Sequence, residues 1–340
     1  MTPAESPKRQ ATPASAPRSG LPTGVGLWGG FLDRLPSAEA AAAVRDLEQA
    51  GVGTVWLQEY SGVDPFVRAA LYLTATQTLT VALGVATIHA RDPEAMVAVA
   101  STLHEAFPGR FVLGLGASHR HLAETRGGAY SRPLTALRDY VGAMNAAVGG
   151  RTLPPLFLGA LGPRMIELAA TATGGLHTYF CPVTHTAGAR AAVGDSPWIA
   201  PSQMVAVGGE DPRTSAKLRD YLGLCLGMPN YQQSLRRCGF DDADLATVSD
   251  ALIDALVVQD TPTALRARVE AQYAAGANHV AVQFVPPPSP ARVLERISAG
   301  LLTDGATAPG PPAVVPPDGT APLDGTDRAA PAPSPPPETS

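Results

Sequence analysis

The segment from Leu83 to Pro93, followed by the one from Pro108 to His119, constrains the fold more than any other. It reads as strand, loop, helix start, turn and second strand, and closes on Gly114-Leu115-Gly116-Ala117-Ser118 just before His119. Asp92 stands as N-cap with Pro93 at the first helical position, an order that opens a helix. Met96, Val99, Ala100, Leu103 and Phe107 then keep the spacing of a stripe that faces a core. A strand–helix–strand unit of this kind returns the chain parallel to itself, so both strand ends aim their loops the same way. In a closed barrel of such units the loops share one mouth, where catalytic groups collect.

The pattern repeats along the chain. Strands are expected at 25–28, 54–57, 79–88, 111–115, 156–160, 176–180, 204–207 and 279–285. Helices are expected between them at 38–50, 65–75, 93–107, 134–148, 164–172, 187–192, 211–226 and 263–275. The near-continuous apolar run 79–88 suits a strand covered on both faces. Short segments over 231–256 read as an insertion near the seventh and eighth strands. The fold class is therefore α/β, a (β/α)8 TIM barrel. An open doubly wound sheet is the alternative. It lacks the usual dinucleotide fingerprint, because His119 stands where a third glycine after Gly114 and Gly116 is required.

Residues 1–20 and 303–340 are dominated by Pro, Ala, Ser, Gly and Asp and lack periodic apolar surface, so both are expected to be disordered tails around a barrel domain of 21–302. A net charge of −5, with lysine only at Lys8 and Lys217, gives no electrostatic footprint for nucleic acid. Cys181, Cys225 and Cys238 are odd in number and widely spaced, which favours neither a metal site nor a disulfide framework and points to a reducing cytoplasm. No apolar run reaches the roughly 20 residues that span a bilayer, and the N-terminal segment has no apolar core of a signal peptide.

Gly84-Val85 to Arg91-Asp92-Pro93, then Gly109-Arg110-Phe111-Val112-Leu113-Gly114-Leu115-Gly116, resembles the signature of the luciferase-like monooxygenase superfamily. Ala160-Leu161-Gly162-Pro163-Arg164-Met165, Met228-Pro229-Asn230-Tyr231 and Ala275-Gly276-Ala277-Asn278-His279-Val280 are similar to its F420-dependent oxidoreductase subfamily. That resemblance implies a TIM barrel, coenzyme F420 as cofactor with FMN as the alternative, a small-molecule substrate and, commonly, a homodimer. It implies a non-prolyl cis peptide at Gly84-Val85 behind the deazaflavin ring, with Ala86 and Thr87 beside it. Gly116, Ala117 and Ser118 then form a second wall ending at His119, where relatives carry an acidic residue. Glu59 and Tyr60 occupy the place of the family's Asp-His pair. The lysine of the sugar-phosphate-oxidising branch is replaced by Pro182, so glucose 6-phosphate is not expected as substrate.

The chemistry of these residue types fits the implied roles. A histidine that titrates near neutral pH can balance the proton that accompanies hydride transfer. A carboxylate at Glu59 and a hydroxyl at Tyr60 can act as base or hydrogen-bonding group. Ala160, Leu161, Gly162 and Pro163 open a helix whose N-terminus suits the cofactor phosphate. Thr178, Tyr179 and Phe180 supply a further wall, and Cys181 reads as a small buried residue. The expected function is hydride transfer between F420 and a small organic substrate. The alternatives are an FMN-dependent monooxygenase and a non-catalytic flavin- or deazaflavin-binding barrel.

Overall fold

The computed structural model describes residues 21–302, apart from Thr23, Ser61, Ala129, Gly209 and Glu210. The two expected tails lie outside the described residues. Strand β1 (Gly24–Trp28) pairs in parallel with β2 (Thr54–Leu57), and β2 with β3 (Thr80–Leu83). The order continues through β4 (Ala86–Thr87), β5 (Phe111–Gly116), β6 (Leu156–Gly159), β7 (Gly175–Thr178) and β8 (Trp198–Ala206). A short β9 (Val257–Gln259) extends the edge of β8 beyond β7, with Met204 opposite Val257. The last strand, β10 (His279–Val285), closes the ring by pairing with β8, Ala281 opposite Ser202, and with β1, Val280 opposite Val25. With β3 and β4 counted as one interrupted strand, the result is a closed eight-stranded parallel barrel. Closure excludes the open sheet.

The helices of the outer ring are α1 (Ser37–Gln49), α2 (Pro65–Ala75), α3 (Pro93–Ala106), α4 (Arg120–Thr125), α5 (Pro133–Ala147), α6 (Pro163–Ala172) and α7 (Val183–Val193). The insertion supplies α8 (Ala216–Leu226), α9 (Pro229–Arg237), α10 (Asp242–Thr247) and α11 (Asp250–Leu256), and the ring ends with α12 (Pro262–Ala274) and α13 (Pro290–Ser298). Local chemistry explains the helix starts. The Asp64 carboxylate accepts from Phe66 N and Val67 N, that of Asp92 from Ala95 N, and a proline follows each cap. Among the described residues no helix is long and apolar enough to cross a membrane.

Three cores result. Aliphatic residues fill the layer between barrel and helices, the aromatic cluster of Trp28, Trp56, Phe157 and Trp198 fills the barrel, and a third core lies under the insertion. The Ala275–Val280 motif is built into the packing. Arg190 lies over Gly276, where a Cβ would stand 2.5 Å from its Cγ, and its guanidinium donates to Gly276 O and Asn278 Oδ1.

The structure departs from expectation in several places. The third strand is not continuous over 79–88 but breaks at Gly84-Val85, whose peptide bond is cis. The seventh strand begins at Trp198 rather than at 204, and Pro201, Ser202 and Gln203 within it are buried, Gln203 against Leu256 O and Gln272 of the helix layer. The helix expected over 211–226 starts instead at Ala216, capped by Ser215, after a single tight turn at Pro212–Thr214. Helices α4 and α13 and strand β9 were not expected at all, and α7 begins at Val183 rather than near 187.

Candidate active site

Val85 stands at the centre of the mouth. Its Cγ2 lies 2.5 Å from where a Cβ on Gly116 would be, and its Cγ1 lies 3.3 Å from where one on Gly159 would be. Both neighbouring strand ends must therefore end in glycine for Val85 to seat. Beneath it, a Cβ on Gly84 would meet Trp56 at 2.8 Å and Trp28 at 3.3 Å. The bulge is a small apolar platform fixed from below by two indoles. Ala86 and Thr87 continue it by pairing with Leu115 and Gly116.

Glu59 braces this platform. Its Oε2 accepts from Thr87 N at 2.8 Å and its Oε1 from Arg91 Nη1 at 2.6 Å, while Glu59 N donates to Val85 O. Arg91 also pairs with Asp64 and lies 4.4 Å from the Phe66 ring, and Tyr140 donates to Arg91 O. The Glu59 side chain is 5% exposed with both oxygens engaged, so it ties the end of β2 to the loop after β4. Tyr60 stands outside this network, more than half exposed.

The loop after β5 places Ala117 half-buried, turns at Ser118 through a left-handed φ of 61°, and delivers His119 to the start of α4. The His119 ring meets α9 of the insertion: Nε2 is 3.4 Å from the Tyr231 hydroxyl, and Asn230 also hydrogen-bonds to the imidazole. Burial pushes the imidazole pKa down, His121 adds to this, and the Asn230 bond opposes it. His119 is thereby kept neutral at pH 7, as a proton acceptor must be.

On the opposite wall, Ala160 N donates to His177 O, and Leu161 O accepts from His185 Nε2 at 2.9 Å and from Arg237 Nη2 at 3.4 Å. Gly162 precedes Pro163 at the start of α6, which has no side-chain cap. Arg237 Nη2 lies 3.7 Å from where a Cβ on Gly162 would be. An anion here would meet a helix N-terminus and a guanidinium together.

Past β7, the Thr178 hydroxyl is buried without a hydrogen-bond partner among the described residues. Tyr179 packs 5.3 Å from Trp28 and 5.8 Å from Tyr231, and its hydroxyl bonds that of Tyr221, which also accepts from Gln283 Nε2. Burial holds the Tyr179 and Tyr231 phenols far above their ordinary range, so both keep their protons. Phe180, at a left-handed φ of 60°, is turned into the core under the insertion. Cys181 is buried beside Ser234 with its thiol pushed up to about 12, which leaves it no nucleophilic thiolate at neutral pH.

The structure thus brings together Val85, Gly116, His119, Gly162, Thr178 and Tyr179 around one mouth. Tyr231, Asn230 and Arg237 complete it from an insertion more than a hundred residues beyond His119. Sequence reasoning noted Met228–Tyr231 as a motif without giving it a role and passed over Arg237, which carries no local signature.

A closed parallel barrel with its functional loops at the strand C-termini and an insertion folded over them defines the class. The chain belongs to the luciferase-like monooxygenase family, whose model matches residues 17–279. A Mycobacterium tuberculosis protein provisionally named a coenzyme F420-dependent oxidoreductase is 31% identical over 163 residues, 47% of this chain and 46% of that protein. The chain spans about half the length of the curated relatives it matches. The same fold occurs in an F420-dependent secondary alcohol dehydrogenase in complex with an F420-acetone adduct (TM-score 0.64, 15% identity, 83% of this chain and 98% of that one). It occurs too in the FMN complex of the oxygenating constituent of 3,6-diketocamphane monooxygenase from Pseudomonas putida (TM-score 0.61, 12% identity, 83% of this chain and 98% of that one).

Proposed function

We propose that this protein is an F420-dependent oxidoreductase that moves a hydride between the deazaflavin and a small organic substrate. The observation that carries this reading is the Val85 platform, seated between Gly116 and Gly159, with His119 across the mouth. The residues present fit a deazaflavin cofactor on two independent counts. The platform offers a ring an apolar face that glycines keep clear of other side chains. The uncapped start of α6 with Arg237 offers donors to an anionic tail, and the unpartnered Thr178 hydroxyl supplies one more polar contact.

When bound, the cofactor supplies the hydride chemistry. The chain's own part is position and proton handling. Val85, Ala86 and Thr87 back the ring, Trp28 and Tyr179 exclude water from below and beside it, and Glu59 holds Thr87 in place. His119, kept neutral, accepts a proton from the substrate, while Tyr231 and Asn230 hold the imidazole in orientation. Tyr60, exposed at the rim, contacts the substrate rather than the ring.

A second reading, an FMN-dependent monooxygenase, uses the same mouth and is favoured by the FMN-bound structural neighbour. Titration with F420 and, separately, FMN, followed by fluorescence, decides between them. Micromolar binding of F420 is expected. Binding of FMN with none of F420 would overturn the cofactor assignment.

A further inference from the structure

The chain contains three tryptophans, and all three stand in one column inside the barrel. Trp28 lies 6.3 Å from Trp56, centroid to centroid, with ring planes 6° apart. Trp56 lies 6.2 Å from Trp198 with planes 1° apart. The column runs from mouth to floor. At the top, Trp28 ends β1 under Gly84 and beside Tyr179. At the bottom, Trp198 begins β8 and donates its indole N–H to Pro22 O.

Each buried indole N–H needs an acceptor, and the three acceptors differ in kind. Trp28 donates to the Gln58 side-chain amide oxygen at 3.2 Å, and Trp198 to the Pro22 carbonyl at 3.2 Å. Trp56 donates to His279 Nε2 at 3.0 Å. Only the last acceptor is a base. An indole only donates, so this Nε2 carries a lone pair and the His279 proton sits on Nδ1. The close fit is built in, because a Cβ on Gly26 would lie 2.7 Å from His279 Nε2.

We propose that Trp28, Trp56 and His279 form a one-electron relay that discharges a photoexcited ring at the mouth, with His279 as proton acceptor for Trp56. The relay rests on the reading of the mouth as a flavin or deazaflavin site. The oxidant is the light-excited, oxidised ring, and tryptophan is among the most readily oxidised side chains. Trp28 gives one electron to the excited ring, which keeps it, and becomes a radical cation. Trp56 gives one electron to Trp28, restoring it. The Trp56 radical cation is acidic at Nε1. It passes that proton to His279 Nε2, breaking the indole N–H bond and forming an imidazole N–H bond. The products are a neutral Trp56 radical, an imidazolium and the singly reduced ring, and return of the electron and proton restores all three. Trp198 leads only to a carbonyl oxygen that takes no proton, so the oxidising equivalent settles at Trp56. The relay thus draws it away from the substrate and the residues of the mouth.

Flash photolysis tests the relay in the full chain loaded with F420 and, separately, with FMN, binding being measured first. The ring's fluorescence lifetime is expected to be shortened in the wild type and to lengthen several-fold in Trp28→Phe. A neutral tryptophan radical is expected after the flash, and with no other tryptophan in the chain the signal belongs to the column. Its deprotonation slows in deuterated buffer, a measurement that needs no variant, and His279→Gln leaves the radical as the cation. An unchanged lifetime in Trp28→Phe protein that still binds the ring, or no tryptophan radical, overturns the relay and leaves the cofactor reading intact. Failure of both rings to bind overturns the cofactor reading and removes the relay's oxidant with it.

Discussion

His119 owes its chemistry to its neighbours rather than to its own strand. Burial and the nearby His121 lower its pKa below 6.5, while Tyr231 and Asn230 hold the ring. The neutral form, which accepts protons, exists above that lowered pKa and is lost as pH falls through it. Turnover in the proton-accepting direction is therefore expected to stay level below pH 6.5 before it declines. His119→Ala is expected to lower turnover by about 10²-fold, the usual weight of one acid–base group, with little change in F420 affinity. Steady-state rates across pH beside a binding titration check both points. Glu59 belongs to the same scale but does other work. Removing its charge loosens Thr87 and leaves Arg91 with Asp64 alone. Glu59→Gln is expected to reduce stability by about 2 kcal/mol, the worth of a charge-assisted bond, as read by urea unfolding.

Among the elements, the meeting of β3–β4, β5 and β6 sets the site. Any side chain at Gly116 displaces Val85, since even a methyl group would come within 2.5 Å of it. Gly116→Ala is expected to lower stability by roughly 1–3 kcal/mol, as overpacking does, and to weaken F420 binding more than His119→Ala does. The elements were legible where local chemistry decides them. Asp64-Pro65 and Asp92-Pro93 announce α2 and α3, and the stripe from Met96 to Leu103 gives α3 its buried face. They were not legible where the surroundings decide. Pro201, Ser202 and Gln203 read as a loop, yet they are strand: Ser202 falls on the inward face with Trp198 and Ala200, while Gln203 faces the helix layer, donating to Leu256 O and accepting from Gln272, partners that only the folded barrel brings together.

At the scale of the whole molecule, the barrel interior is a buried aromatic and imidazole stack with a price in acid. His177 is fully buried, donates through Nδ1 to Ala200 O, and has its pKa lowered from 6.5 to about 4. Unfolded chains bind that proton first. The stability this group permits is therefore full above pH 6.5 and falls as pH drops towards 4. The loss amounts to roughly 3 kcal/mol, and His177→Gln is expected to flatten that part of the profile in urea unfolding measured between those limits. The site shows the same division between local and global information. His119 and the glycines around it could be found from one βαβ unit, because they lie within it. Tyr231, Asn230 and Arg237 could not, because only the folding of α9 over the mouth brings them to His119 and Gly162. The most direct measurement of the central claim is a crystal structure of the full chain with F420. The ring is expected against Val85, with the phosphate at Gly162 and Arg237 and His119 facing the reacting carbon. A ring bound elsewhere, or a mouth that stays empty at saturating F420, would contradict it.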